Sequence, residues 1–206
     1  MRLENARYHL SVHDAHLLPG DSLPEVAFLG RSNAGKSSAL NTLAGRRRLA
    51  FVSKTPGRTQ LINYFAVDED AFLVDLPGYG YAGVPYEVRQ HWDRLVGEYV
   101  FHRRALAGVI IVMDSRHPLA AQDRRLLDWL LPSGRNVHVL LSKSDKLSAQ
   151  AAHRTLVQAR KDLAQVYPGA TAQLFSALKR TGMAEAQARI ESWVEEHKQK
   201  APAKGD

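Results

Sequence analysis

At 206 residues, with 45% hydrophobic and 24% charged side chains, the chain has the composition of a soluble globular protein, long enough for one well-buried domain and short for two. The absence of cysteine rules out disulfides, thiolate nucleophiles and cysteine metal sites, and no apolar run approaches the roughly 20 residues of a membrane helix. Lys and Arg outnumber Asp and Glu by 28 to 21, a formal charge of +7, so the surface either favours polyanions, RNA first among them, or is a solvated basic face.

The opening stretch, MRLENARYHLSVHDAHLLPG, lacks the apolar core of a signal peptide, and a cytoplasmic location is expected. Residues 1–24 are expected to pack on the domain as an N-terminal extension. His9, His13 and His16 are spaced by four and three, which would put them on one helix face, but no acid-rich shell accompanies them and no metal site is read there.

From there apolar runs alternate with helical patterns. EVAFLG (25–30), LINYFAV (61–67), AFLVDLP (71–77), LAGVIIVMD (106–114), NVHVLLS (136–142) and TAQLFS (171–176) read as strands. Helices are expected near 36–44, 87–103, 120–131, 148–164 and 182–198. The second of these carries Val88, Trp92, Leu95 and Tyr99 at helical spacing, and the three Trp residues of the chain are expected to pack in the core. Only DEDA joins the second and third strands, so that pair should be an antiparallel hairpin. The expected fold is α/β: a P-loop NTPase with a six-stranded, mixed but mostly parallel sheet and helices on both faces. The domain should cover 25–197, with 198–206 a basic disordered tail.

Four stretches carry chemistry. GRSNAGKS, after a strand and before a helix, has the GxxxxGK[ST] spacing of a P-loop. Its glycines let backbone N–H groups turn around a β-phosphate, with Lys36 on the β- and γ-phosphates and the Ser37 hydroxyl on Mg²⁺. In VDLPGYG, Asp75 ends a strand where a carboxylate reaches a Mg²⁺ shell through water, and the Gly78 N–H can sense a γ-phosphate. In LLSKSD, Asp145 can accept from both N1–H and N2–H₂ of guanine, while adenine would turn a lone pair toward it. The Lys143 stem would lie against the base and the P-loop. SKTPGRTQ places Thr59 before the second strand, as a Mg²⁺ ligand in a switch loop, although an ordinary Pro-Gly turn is the alternative.

These stretches, together with MDSRHPL and FSALK, resemble the YihA/EngB family of Ras-like GTPases, within the TrmE-Era-EngA group of translation-associated GTP-binding proteins, over residues 5–197. The resemblance implies GTP or GDP contacts at Gly30, Arg31, Ser32, Asn33, Ala34, Gly35, Lys36 and Ser37. It adds Gly57, Arg58, Thr59, Gln60 and Leu61 from the switch loop, and Asp75, Leu76, Pro77 and Gly78 from the second motif. Around the base it implies Ser142, Lys143, Ser144 and Asp145, then Phe175, Ser176 and Ala177. Mg²⁺ would take Ser37 and Thr59, with Asp75 through water. Lys36, Thr59 and Gly78 would serve catalysis, and loops 45–60 and 77–86 would respond to the γ-phosphate. It further implies a bacterial, monomeric GTPase that works in assembly of the large ribosomal subunit, with rRNA and ribosomal protein as partners and no role for DNA. A need for the family in normal division and septation is also implied.

Three residues shape the expected chemistry. Ser142 stands where Ras-like proteins carry Asn and this family usually Thr, which predicts modest guanine-nucleotide affinity. Tyr79 stands where Ras has its water-orienting Gln, which predicts slow intrinsic turnover, on the order of 10⁻⁴ to 10⁻³ s⁻¹. Asn33 in the P-loop is either a K⁺ ligand beside the phosphates, as in related GTPases, or a residue suited to a tight turn. Arg58 is another source of positive charge, or an RNA contact. Two rivals are a P-loop kinase, which would have no use for SKSD, and a GTP-binding scaffold of the division machinery.

Overall fold

A computed structural model describes residues 1–46, 48–50, 61–80 and 86–200. In chain order they form β1 (Arg7–Val12), β2 (Glu25–Gly30), α1 (Lys36–Leu43), β3 (Ile62–Val67), β4 (Ala71–Asp75), α2 (Tyr86–His102), β5 (Leu106–Asp114), α3 (Ala121–Leu130), β6 (Val137–Ser142), α4 (Ala149–Val166), β7 (Thr171–Leu174) and α5 (Met183–Lys200). The sheet order is β1-β3-β4-β2-β5-β6-β7. Strands β4, β2, β5, β6 and β7 are parallel neighbours, whereas β3 runs antiparallel to both β4 and β1. The β3–β4 hairpin is the one expected from its short connection.

The burial pattern explains why the apolar runs become central strands. All nine residues of β5 are buried, and they alternate between the two faces. Val109, Ile111 and Met113 join Leu95, Tyr99 and Leu127 under α2 and α3, while Ile110 and Val112 join Leu40, Ile190 and Trp193 under α1 and α5. Gly108 belongs to this packing, because a Cβ there would fall inside the Trp193 indole. A strand with helices on both faces leaves few positions for a polar side chain, which gives the near-continuous apolar run.

The sheet has seven strands, one more than the sequence suggests. Residues 7–12 form an edge strand, so His9 lies on a strand, not on a helix face shared with His13 and His16. Among the described residues no group of three or more His, Asp or Glu is arranged to hold a metal. The missed strand is short and mostly exposed, and its extended form depends on pairing with β3, 50 residues and more away in sequence. Helix α5 continues to Lys200, into the stretch read as a tail.

Two polar clusters sit inside this apolar frame. At the N-terminal end of β2, Glu25 is fully buried and meets Arg103 at 2.5 Å, with the Tyr99 hydroxyl donating at 2.7 Å and that of Tyr64 at 3.3 Å. On β6, His138 is buried between Thr171 Oγ1 (2.7 Å) and Gln173 Oε1 (2.9 Å). Burial pushes its imidazole down to about 4, and the nearby Arg189 and Arg160 add to the effect. The folded protein therefore keeps His138 neutral while the unfolded chain takes up a proton near 6.5. This contribution to stability is full above that value and is lost as pH falls toward 4. The loss amounts to about 2 kcal/mol at pH 5. Urea unfolding at pH 7.5 and pH 5 should show that His138→Gln loses less stability on acidification than the parent, by about that amount. Equal losses would mean that His138 is accessible to protons in the folded state.

Candidate nucleotide-binding site

The loops that follow β2, β4, β6 and β7 meet at one end of the sheet. Strand β2 lies between β4 and β5, where the chain's path across the sheet reverses, and such a switch point opens a crevice at the C-terminal strand ends. The loop after β2 enters α1 through Gly35, whose φ of +99° is costly for any residue with a Cβ. Asn33 is also left-handed, at +62°, a conformation that Asn tolerates better than most residues. This backbone role accounts for an Asn here without reference to any ion.

Four contacts join the stretches singled out in the sequence. The Lys36 ammonium is paired with Asp75, the last residue of β4. The Tyr79 N–H donates to Gly30 O at 3.4 Å and brings the 76–80 loop alongside the glycine loop. The Ser142 hydroxyl donates to Ala34 O at 2.5 Å, and Lys143 Nζ donates to Asn33 O at 2.6 Å. Thus the Ser that replaces the usual Asn or Thr still ties the end of β6 to the loop after β2. From β7, the Ser176 hydroxyl donates to Asp145 Oδ1 at 2.6 Å, and the Ser144 N–H to Phe175 O at 3.1 Å. The Ser176 hydrogen bond holds the Asp145 carboxyl below the usual range. The Ser176 amide is used within its own turn, donating to Thr181 O at 3.1 Å.

Tyr79 turns away from this end of the sheet. Its ring is buried and its hydroxyl donates to Asp123 on α3 at 2.8 Å. Burial, then the Asp123 charge, raise the phenol well above its usual range. Asp123 also lies 3.6 Å from Arg31, whose guanidinium approaches Gln122 Oε1 at 3.4 Å. Pro77 O accepts from Trp92 Nε1 at 3.0 Å, which anchors the same loop on α2. Trp92 and Trp129 are partly buried and face each other at 5.5 Å, while Trp193 is buried, so all three serve packing.

The structure brings Gly30 through Ser37, Asp75 through Gly78, Ser142 through Asp145 and Phe175 through Ala177 to one rim, with Leu61 at the entry of β3. Gly57, Arg58, Thr59 and Gln60 lie outside the described residues, as do parts of both expected switch loops. A groove of about 260 Å³ runs along the glycine loop past Ser32, Asn33, Asp114, Arg116 and Lys143. A larger one, about 360 Å³, lies beside it between the 78–80 loop, α2 and α3. Only the smaller groove is lined by the glycine loop together with Lys143, which sets it beside the motifs read from the sequence. No motif in the sequence points to a role for Asp114 or Asp123. Asp114 falls in MDSRHPL, where only the resemblance drew attention to the stretch, and Asp123 looks like an ordinary acid in the first turn of a helix.

The donor set suits a hard cation as well as phosphate. Ser37 offers a hydroxyl in the first turn of α1, and Asp75 a carboxylate beside Lys36, both oxygen ligands of the kind Mg²⁺ takes.

Comparison with known proteins gives a consistent result. A model of the "50S ribosome-binding GTPase" family matches residues 25–143. A protein named "Probable GTP-binding protein EngB" from Methylobacillus flagellatus is 54% identical over 191 residues, covering 93% of this chain and 92% of that one. A protein of the same name from Aromatoleum aromaticum is 53% identical over 190 residues, covering 92% and 88%. Among solved structures, one described as a probable GTP-binding protein engB superposes with a TM-score of 0.63 at 18% identity, covering 84% of this chain and 99% of that one. Era in complex with MgGDPNP and nucleotides 1506–1542 of 16S ribosomal RNA does so with 0.66 at 18% identity, covering 84% and 57%. At those identities the structural likeness speaks for the fold.

Proposed function

Because the chain belongs to the EngB family of GTP-binding proteins and is a P-loop GTPase, we propose that it is a slow, partner-stimulated switch in assembly of the large ribosomal subunit. The observation that carries this reading is the tie between the glycine loop and the 142–145 loop, through Ser142 on Ala34 O and Lys143 on Asn33 O. It supports reading the two loops as a phosphate cradle and a guanine-selecting carboxylate on one rim. In this reading the loop from Gly30 to Ser37 wraps the phosphates, Lys36 exchanges Asp75 for the β- and γ-phosphate oxygens, and Asp145 accepts both guanine donors. Ser37, Thr59 and, through water, Asp75 would hold Mg²⁺, which neutralises charge on the β- and γ-oxygens. Gly78 would read the γ-phosphate.

Slow turnover is supported by Tyr79, whose hydroxyl is committed to Asp123 and so does not orient an attacking water. A partner or a K⁺ held by the Asn33 amide oxygen would supply the missing electrostatics. That partner is the large subunit or its precursor, which suits the +7 charge of the chain and the name of the matching family. Among the described residues no helix is long and apolar enough to cross a membrane, and the protein would act in the cytoplasm as a monomer. Its need in division and septation would follow from stalled ribosome assembly.

GTP hydrolysis in NaCl and in KCl, each with and without large subunits at matched ionic strength, tests the reading. Subunits are expected to raise turnover by at least about 100-fold, the electrostatic complement of an incomplete site. A KCl-specific increase that disappears in Asn33→Ala would give Asn33 its ionic role. Tight GTP binding with no turnover under any condition would leave a GTP-dependent scaffold in place of a switch.

A further inference from the structure

Three strand ends lie side by side at the rim: Gly30 of β2 opposite the end of β5 (Val112), and Asp114 of β5 opposite Ser142 of β6. Lys143 follows at once with a φ of +56°, a left-handed conformation that a lysine holds only when its surroundings impose it. Its ammonium has two partners, Asn33 O at 2.6 Å and Asp114 Oδ2 at 3.0 Å. The second partner comes from a strand to which neither the phosphate reading nor the base reading assigns a role.

The Asp114 carboxylate is itself rigidly held. Oδ1 accepts from the Arg116 backbone N–H at 3.0 Å and from Arg116 Nε at 2.9 Å, and Oδ2 accepts from the other arm of the guanidinium at 2.7 Å. The Arg116 hydrogen bonds hold its carboxyl well below the usual carboxylate range. Asp114 is nearly buried, whereas Arg116 closes on it from solvent. A fork-to-carboxylate pair of this kind sets the plane of the carboxylate, and so the position at which the second cation, Lys143, can sit.

We infer that Asp114, oriented by Arg116, is a positioning residue for guanine-nucleotide binding, because it holds the Lys143 ammonium on the glycine loop and leaves the lysine stem laid out for the base. The inference rests on the reading of Lys143 as a nucleotide contact. Lysine has a four-carbon stem with many rotamers, and ordering it only when the ligand arrives would weaken binding. Asp114 orders it beforehand. The ligand class is the guanine nucleotides, both di- and triphosphate, since the tie is to the base side of the site and not to a γ-phosphate sensor.

The test is a double-mutant cycle on GDP affinity in the full chain. Asp114→Asn keeps the shape of the side chain and removes its charge, and is expected to weaken GDP about tenfold with Tm nearly unchanged. Lys143→Met keeps the stem and removes the ammonium. In the Lys143→Met background the Asp114→Asn effect is expected to vanish, whereas a role in strand pairing alone would lower Tm and leave the two effects additive. Arg116→Gln, at an exposed position, is expected to give a smaller, few-fold loss that also vanishes with Lys143→Met. If Lys143→Met weakens GDP while Asp114→Asn does not, or the two add, the inference is overturned and the site reading survives. If Lys143→Met has no effect, the role of Lys143 in the site falls, and the inference falls with it.

Discussion

Asp145→Asn is expected to cut GTP affinity about 100-fold and to make xanthosine triphosphate the better ligand. The carboxylate is kept ionised and oriented by the Ser176 hydroxyl at 2.6 Å, so it can accept from the N1–H and the N2–H₂ of guanine together. An amide keeps one acceptor and turns its NH₂ toward another donor. Losing one charge-assisted hydrogen bond and gaining a donor–donor clash costs about 3 kcal/mol, which is about two decades in affinity. Xanthine presents a carbonyl at position 2, which the new NH₂ can meet. Competition of the two triphosphates against a fluorescent GDP analogue reads the exchange directly. A variant that still prefers GTP would remove Asp145 from base recognition and with it the main argument against an adenine nucleotide.

The second large effect concerns the far end of β2. In Arg103→Met, Glu25 stays buried with, among the described residues, the Tyr99 and Tyr64 hydroxyls as its remaining side-chain partners. Removing one member of a buried ion pair costs about 3–5 kcal/mol, whereas replacing both members costs much less. Thermal unfolding should therefore show Tm falling by about 10 °C in Arg103→Met, with a large part regained in the Arg103→Met/Glu25→Gln double variant. A fall of under about 2 °C in the single variant would mean that water reaches Glu25 and that the pair is worth no more than a surface one. Arg103 follows α2, and the first half of that helix holds Pro77 through Trp92. The pair therefore fixes the base of the helix whose other end bears on the 76–80 loop.

The two ends of β2 differ in how much of them could be read beforehand. GRSNAGKS, DLPG and SKSD announce their chemistry because the necessary residues lie within a few positions of one another and the flanking apolar runs say strand. The tie from Lys143 to the glycine loop follows from the same fold and was expected as a stem lying near it. The partners of Lys143 and Tyr79 were not legible. Asp114 is 29 residues from Lys143, and Asp123 is 44 from Tyr79, and nothing local distinguishes either acid from a solvated one. The Glu25–Arg103 pair spans 78 residues, and β1 escapes the sequence reading although Tyr8, Leu10 and Val12 alternate with polar residues, because the stretch is mostly exposed and its partner strand is remote.

By itself the sequence determined the glycine loop between a strand and a helix, the succession of β2 to β7 with their helices, and the buried centre of the sheet, and it pointed to Asp145 as the candidate base-selecting carboxylate. Each of these is set by local backbone freedom, by side-chain chemistry at short spacing or by continuous burial. The tertiary structure alone decided the seventh strand, the direction of the Tyr79 phenol, the partner of Glu25 and the neighbour that holds Lys143. Those contacts exist only after β1 has joined β3 and β5 has been inserted between β2 and β6. Which distant residues a closed sheet brings within hydrogen-bond reach depends on strand order and register, and no local propensity encodes either.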